Sequence, residues 1–362
     1  MATLQAVTTA NQAPTESSLA DAHDAGLRWV TDETPGIKRL RAGKGFRYVC
    51  ADGSPADPHT VKRIRALAVP PAWARVWICE RADGHIQATG YDARGRKQYR
   101  YHEAWRRQRD DNKFGRLLGF ARGLPALRAR VRADMARPDL DRRKVLATIV
   151  RLLETTSIRI GNHEYTRHNG SFGLTTLRNR HATIRRSGFH LRFRGKGGKM
   201  HEVDVADRRL ACVVRSCQEL PGQELFQYVD PEGSVRRVGS GDVNEYLREV
   251  TGADVSAKDF RTWAATVRAA ELLDSQAIPA SATERKRVVL ETVAAVAREL
   301  GNTRAVCRRS YIHPLVIEAF ERGTTLPPPR HSERAMRGHH GVERAVMHLL
   351  HDAGAGRDRK AS

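Results

Sequence analysis

The sequence is poor in cysteine and has no long apolar run, and both shortages narrow the classes of protein it can belong to. Its five cysteines are scattered and form no C-x-x-C pair, which argues against a disulfide framework or a zinc ribbon and favours a reducing compartment. No run of 18 apolar residues is present, so we expect no membrane span. Residues 1–18 lack the basic start and apolar stretch of a secretory signal.

Carboxylates are also few in comparison with cations. The chain has 63 Lys and Arg against 41 Asp and Glu, a formal net charge of +22, and its cations comprise 11 lysines and 52 arginines. Guanidinium groups stay charged and bind phosphate oxygens in a fork, so the composition favours a polyanionic partner. A genomic bias toward arginine would give the same excess without functional meaning.

The usual motifs of nucleotide and metal sites are missing. Two glycine–lysine segments, Gly43–Gly45 and Gly195–Lys199, do not fit the G-x-x-x-x-G-K-[ST] pattern, so ATP binding is not expected. The single D-x-D, Asp139-Leu140-Asp141, stands where a helix would begin, and carboxylates suit a helix start. We therefore expect neither a cofactor nor a bound metal.

The pattern along the chain predicts an α+β protein with two domains, since 362 residues exceed what one core organises well. Residues 1–24 have no periodicity and predict a disordered lead-in, and 25–108 carry β-type runs with Asp-Gly turns, as in a small strand-rich domain. Residues 109–323 repeat apolar side chains at the helical period, around one β-hairpin. Residues 324–362 predict a basic flexible tail, with a short helical pattern at 342–350.

Four segments of the helical domain could perform metal-free chemistry on phosphate, which needs a nucleophile among fixed cations. They are Ser157–Tyr165 with Arg159, the hairpin turn with Lys196, Lys258–Trp263 with Arg261, and Leu300–Ile312 with Tyr311. Considered one at a time, each has an ordinary explanation: a solvated arginine, a turn lysine or a core tyrosine.

In this order and spacing the segments resemble the type IB DNA topoisomerases, in particular the small poxvirus-like form also found in bacteria. The resemblance covers about Leu27 to Arg322. In that family the first catalytic arginine lies in Arg-hydrophobic-Gly with a tyrosine shortly after, and the lysine follows F-x-G in a hairpin turn. The second arginine lies in K-D-hydrophobic-R-T, and the nucleophile ends S/K-R-x-Y. The matching residues here are Arg159 with Tyr165, Lys196, Arg261 and Tyr311.

The resemblance implies the topoisomerase IB and tyrosine recombinase catalytic fold, and a role for each residue. Tyr311 would attack phosphorus and form a 3′-phosphotyrosine, while Arg159 and Arg261 stabilise the phosphate oxygens. Lys196 would protonate the leaving 5′ oxygen, assisted by Lys258. Strand rotation would then release supercoils without ATP or metal.

One position departs from the family pattern. Nine residues before the nucleophile the poxvirus-like enzymes have a histidine that donates to a phosphate oxygen, and this chain has Asn302. An amide can donate there but cannot become cationic. We keep Asn302 as the fifth catalytic residue and expect no imidazole contribution to the pH dependence from that position.

The amino-terminal half contributes to the same resemblance. Lys97–Tyr101 is similar to the family's DNA-contacting segment, and Leu67–Trp73 is similar to bacterial members. The resemblance implies a monomer that encloses double-stranded DNA between two domains, in the cytoplasm and associated with the nucleoid. An alternating strand with one buried face would explain the tyrosines equally well. The predicted DNA-binding residues are Gln98, Tyr99, Tyr101, Tyr165 and Lys258.

Two other functions stay open from the sequence. A tyrosine recombinase shares the catalytic fold and chemistry, but usually has His-x-x-Arg where this chain has Lys258-x-x-Arg261, and usually has a helical amino-terminal domain. A non-enzymatic DNA-compacting protein would need only the charge of +22, and not Tyr311.

Overall fold

The computed structural model describes residues 16–93, 95–324, 326 and 339–361. The chain divides into two compact units, with the boundary between Gly115 and Arg116. This boundary lies inside a long helix, a few residues after the predicted boundary between residues 108 and 109. Among the described helices, none is both long and apolar enough to cross a membrane.

The amino-terminal unit is built on a five-stranded antiparallel sheet of order β2-β1-β3-β4-β5. Its core side chains come from the sheet, from a short helix and from the segment that leads from this helix into the sheet: Ile37, Ile64, Trp73, Val76, Ile78 and Ala88. The elements are α1 (Glu16–Asp24), β1 (Ile37–Ala42), β2 (Gly45–Val49), α2 (Pro58–Ala66), β3 (Ala74–Ile78), β4 (Ile86–Tyr91) and β5 (Lys97–Tyr101).

Part of the predicted disordered lead-in is helical. Residues 16–24 form α1, and Ala22 is 1% exposed because it packs with Leu27 and Trp105. The prediction is therefore wrong for these residues, which lack an apolar stripe of their own and gain order from packing on the following segment. Residues 1–15 lie outside the described residues.

The carboxy-terminal unit is mostly helical. Its elements follow α3 (Glu103–Met135), the helix that contains the unit boundary. They are α4 (Arg142–Thr156), α5 (His163–Asn169), β6 (Ala182–Arg185), β7 (Gly188–Arg194), β8 (Met200–Val205), α6 (Arg208–Glu219), β9 (Gln227–Val229), β10 (Val235–Arg237), α7 (Ser240–Thr251), α8 (Ala257–Asp274), α9 (Ala282–Glu299), α10 (Arg304–Ser310), α11 (Pro314–Glu321) and α12 (His339–Ala361). Sheet and helices together confirm the predicted α+β class.

Helix α4 is central to this unit. Its residues Val145, Leu146, Ile149, Leu152 and Leu153 are fully buried, as their helical spacing predicts. The helix begins at Asp141, whose carboxylate accepts the backbone N–H of Lys144 at 2.9 Å. The second carboxylate of the D-x-D motif thus has the helix-start role expected of it.

The predicted flexible tail also differs from the structure. Residues 339–361 form α12, and its side chains Ala345, Val346 and Leu350 are buried. The prediction missed this docking because the segment also buries a carboxylate, Glu343, which is 5% exposed. Residues 325 and 327–338 of the predicted tail lie outside the described residues.

Glu343 joins α12 to the centre of the unit through hydrogen bonds. Its carboxylate accepts Trp263 Nε1 of α8 at 2.9 Å, and both terminal nitrogens of Arg128 at 2.8 and 3.0 Å. Burial alone would raise the pKa of Glu343, but the hydrogen bonds from Arg128, His340 and Trp263 outweigh burial and lower this pKa to about 2. The carboxylate is therefore a charged part of the folded core.

Replacing Glu343 should destabilise the protein. Glu343→Gln leaves part of the charge of Arg128 uncompensated in the interior, and we expect the free energy of unfolding to fall by about 3 kcal/mol. The pKa is lowered in the folded state, so this loss should be complete at neutral pH and shrink as the pH falls from 4.5 toward 2. Denaturant unfolding measures it, with the exposed Glu291→Gln as control; equal stability of both variants would contradict the prediction.

Candidate active site

The five predicted catalytic residues come from five separate places in the carboxy-terminal unit. Arg159 lies in the loop after α4, and Lys196 in the turn between β7 and β8. Arg261 lies in the first turns of α8, Asn302 in the loop between α9 and α10, and Tyr311 directly after α10. Their mutual contacts show which of them the fold brings together.

The loop that carries Arg159 is fixed by backbone contacts. The C=O of Arg159 accepts the N–H of Leu174 at 2.9 Å, and the next carbonyl, of Ile160, accepts the N–H of Thr175 at 2.7 Å. A Cβ on Gly173 would lie 2.5 Å from the carbonyl oxygen of Arg159, so this close approach requires a glycine. The backbone of Arg159 is therefore held before any ligand binds.

Arg159 and Asn302 are direct neighbours. Arg159 Nη2 donates to Asn302 Oδ1 at 2.5 Å. The amide nitrogen of Asn302 is buried and has no hydrogen-bond partner among the described residues. A buried donor without an acceptor is costly, so this N–H₂ group is ready for an anionic ligand.

Arg261 is a buried cation that links two loops of the site. It is 4% exposed, and its terminal nitrogens donate to the carbonyls of Ser157 and Leu300, the latter at 2.9 Å. Burial, and then the positive charge of Arg159, lower the pKa of Arg261 to about 10. Arg261 thus connects α8 with the segments that precede Arg159 and Asn302.

Tyr311 lies beside this guanidinium, with Arg261 Cζ 5.4 Å from the centre of its ring. Its backbone is held at both ends, since its N–H donates to Cys307 at 3.0 Å and its C=O accepts Thr266 Oγ1 of α8 at 3.2 Å. Burial alone would raise the pKa of Tyr311, but positive charges outweigh burial and lower it. These charges belong to Arg261, Arg159 and Lys258.

Lys196 lies at a turn closed by backbone hydrogen bonds. The N–H of Gly195 donates to the C=O of Lys199 at 2.7 Å, and the following glycines Gly197 and Gly198 have positive φ angles of 76° and 80°. The residue is exposed as a whole, yet the protein around its ammonium group lowers the pKa of Lys196. The positive charges of Arg159, Lys258 and Arg261 lower it further, and Tyr311 opposes them.

The residues predicted to bind DNA differ in how far they are exposed to solvent. Lys258 is exposed and Tyr165, on α5, is half-buried. In the amino-terminal unit Tyr99 and Tyr101 stack at 5.9 Å on one face of β5. Gln98 faces the opposite way, is 3% exposed, and donates to Asp92 at 3.0 Å. Its burial differs from the surface position that a direct DNA contact requires.

One further residue near these side chains, His201 on β8, was not predicted from the sequence. Burial, and then the positive charges of Arg159, Arg261 and Lys199, lower its pKa. Only the register of the hairpin, which pairs His201 with Phe193, could have pointed to it. Among the described residues, no group of three or more His, Cys, Asp or Glu side chains is arranged to hold a metal ion.

Comparisons with known proteins find two matching family models and several similar proteins. A family model described as eukaryotic DNA topoisomerase I, catalytic core, matches residues 102–324, and one described as bacterial DNA topoisomerase IB, N-terminal domain, matches residues 45–92. A mimivirus protein named DNA topoisomerase 1B is 30% identical over 294 residues, which cover 79% of this chain and 88% of that protein. The DNA topoisomerase 1B of vaccinia virus is 23% identical over 288 residues, covering 77% and 87%.

The phenol of Tyr311 should ionise below the ordinary tyrosine pKa of 10.0. Subtracting the alkaline titration of the Tyr311→Phe variant from that of the unmodified protein, both followed by tyrosinate absorbance, isolates this one group. Lys258→Gln removes a cation that is exposed, and so spares the core, and should move the ionisation of Tyr311 to higher pH. A Tyr311 pKa at or above 10.0, or one unaffected by Lys258→Gln, would contradict the electrostatic account.

Proposed function

The chain belongs to the type IB DNA topoisomerases, which are isomerases, and from that premise we propose that it relaxes supercoiled double-stranded DNA by cutting and resealing one strand through Tyr311. The proposal includes a 3′-phosphotyrosine intermediate, rotation of the free strand, and independence from ATP and metal. We also propose that the protein acts as a monomer on the bacterial nucleoid, in the cytoplasm.

One observation supports the proposal most directly: a tyrosine stands beside a buried guanidinium that the backbone holds in place. An ordinary phenol, with a pKa near ~10, is ionised in only about one molecule in a thousand at neutral pH. Positive charges favour the phenolate of Tyr311. Because Arg261 is already bound to the carbonyls of Ser157 and Leu300, it needs no reorganisation as negative charge develops nearby.

The proposed step exchanges one P–O bond for another. Tyr311 Oη, having lost its proton to solvent, forms a bond to phosphorus, and the bond from phosphorus to the 5′ oxygen breaks. Arg159 and Arg261 donate to the non-bridging oxygens, whose negative charge increases in the transition state. The unpartnered amide nitrogen of Asn302 is a third donor.

Lys196 is proposed to give its proton to the departing 5′ oxygen. Its lowered pKa makes the ammonium a stronger acid than a free lysine, closer to the range in which proton transfer is efficient. The product is a 3′-phosphotyrosyl linkage and a free 5′-hydroxyl. The reverse reaction reseals the strand, and since a phosphodiester has been replaced by a phosphodiester, no nucleotide hydrolysis is needed.

Binding to DNA is proposed to use both units of the chain. The net charge of +22 suits a polyanion, and Lys258 and Tyr165 accompany the catalytic residues in the carboxy-terminal unit. The stacked pair Tyr99 and Tyr101 is the candidate surface of the amino-terminal unit. Affinity should fall steeply with salt, by ~0.9 log units per neutralised phosphate for each log unit of salt concentration.

The test is relaxation of positively and negatively supercoiled plasmid in EDTA without ATP. We expect the unmodified protein to relax both, and Tyr311→Phe to bind DNA but lose relaxation by at least about three orders of magnitude, since the nucleophile is gone. Tyr228→Phe, which removes a hydroxyl from β9 of the same unit, should relax normally.

Mapping the covalent adduct completes the test. Denaturing the protein during turnover should leave a DNA strand joined through its 3′ phosphate to the peptide that contains Tyr311. Attachment to another side chain or to a 5′ end, or relaxation by Tyr311→Phe, would overturn the proposal. A DNA-compacting protein would bind plasmid and leave no adduct.

A further inference from the structure

His201 lies under the turn that carries Lys196. It stands on β8 opposite Phe193 of β7, and the two rings stack with centres 5.2 Å apart and planes 7° apart. The imidazole is half-buried, so its position is set by the strand and by the stacked ring rather than by solvent. It presents one fixed edge to its surroundings.

One edge of the imidazole, formed by Cδ2 and Nε2, lies against Gly195, the residue immediately before Lys196. A Cβ on Gly195 would lie 2.4 Å from Cδ2 and 2.6 Å from Nε2 of His201. The backbone of Gly195, at φ −93° and ψ −167°, is one that other residues adopt, so its conformation does not demand glycine. The close imidazole demands it, and the main chain before Lys196 rests directly on the ring.

The same ring also lies beside the loop before Asn302. A Cβ on Gly301 would lie 3.4 Å from Cε1 of His201. Lys199, at the end of the turn, reaches the same loop, because its Nζ donates to the C=O of Gly301 at 3.3 Å. His201 therefore lies between the turn of Lys196 and the loop of Asn302.

We propose that His201 is a positioning residue, which fixes the turn of Lys196 at the distance from the Gly301 loop that brings the Lys196 ammonium to the leaving 5′ oxygen. The glycines that follow Lys196, Gly197 and Gly198, have no side chains to pack the turn from that side, so the ring of His201 supports it from the side of Gly195. A displacement of about 1 Å at a catalytic group can cost about 100-fold in rate. This inference rests on the proposed function, because it needs Lys196 to be the proton donor.

The test compares two leaving groups in single-turnover cleavage of a DNA duplex. In one substrate the scissile bond has its natural 5′ oxygen, and in the other a bridging sulfur, which leaves without a proton because a thiol has a pKa of only about 8.5. His201→Ala should slow cleavage of the oxygen substrate about 10- to 100-fold and leave the sulfur substrate within about threefold of the unmodified rate. Lys196→Ala, measured in the same way, shows how the two cleavage rates change when the proposed proton donor itself is removed.

A matched control comes from the same hairpin. His190 on β7 pairs with Asp204, and His190→Ala should change neither rate. Cleavage of the oxygen substrate by His201→Ala at the unmodified rate would overturn the proposal. So would an equal loss on both substrates, which is also the result for a misfolded variant. If the unmodified protein forms no adduct with either substrate, the proposed function itself has failed.

A second arm tests the contact itself. Gly195→Ala should slow the oxygen substrate strongly when His201 is present, because the new methyl group displaces either the ring or the turn. In the His201→Ala background the same substitution meets no ring, and its further effect should be small. An equal loss in both backgrounds would show that the ring does not support the turn.

Discussion

The buried guanidinium of Arg261 is the interaction on which the rest of the site depends. A cation in the interior loses hydration, and here two backbone carbonyls, of Ser157 and Leu300, replace only part of it. Those carbonyls end the segments that precede Arg159 and Asn302, so one side chain sets the spacing of two loops. Burial, and then the positive charge of Arg159, lower the pKa of Arg261 to about 10, because the charge of its guanidinium is only partly compensated. An anionic phosphate would supply what is missing.

The helix that carries Arg261 is itself held from the carboxy-terminal end of the chain. Trp263, two residues further along α8, donates to Glu343, which also binds Arg128 of α3. Arg128 in turn donates to Glu154 of α4, the helix that leads into the loop of Arg159. Because Glu343 is buried and Arg128 and Glu154 are half-buried, this network requires a defined geometry in which every member keeps its partners. The helix α12, which follows Tyr311 in sequence, thereby becomes part of the support of the site.

The sequence predicted the two-part α+β organisation and, through the order of its motifs, five side chains that the structure shows in mutual contact or electrostatic interaction; their chemical roles stay predictions. It predicted a short helix at 342–350 but not the full length of α12 or its packing, because the burial of Glu343 depends on Arg128, 215 positions away, and apolar periodicity cannot reveal such a pair. Gln98, predicted to contact DNA, is instead buried and donates to the nearby Asp92. The place of His201 required the hairpin register and the close approach of Gly195, which are properties of the folded chain.

The site gathers like charges before any ligand is present. Arg159 disfavours the charge of Arg261, and Arg159, Lys258 and Arg261 all disfavour the protonated form of Lys196; the folding of the whole unit offsets this repulsion. The same positive charges favour the phenolate of Tyr311 and lower the pKa of Lys196, so in the proposed reaction one electrostatic condition would serve both the attacking and the leaving oxygen. An asparagine at position 302 is consistent with this concentration of positive charge. It adds a hydrogen-bond donor without adding another charge to a site that already carries several.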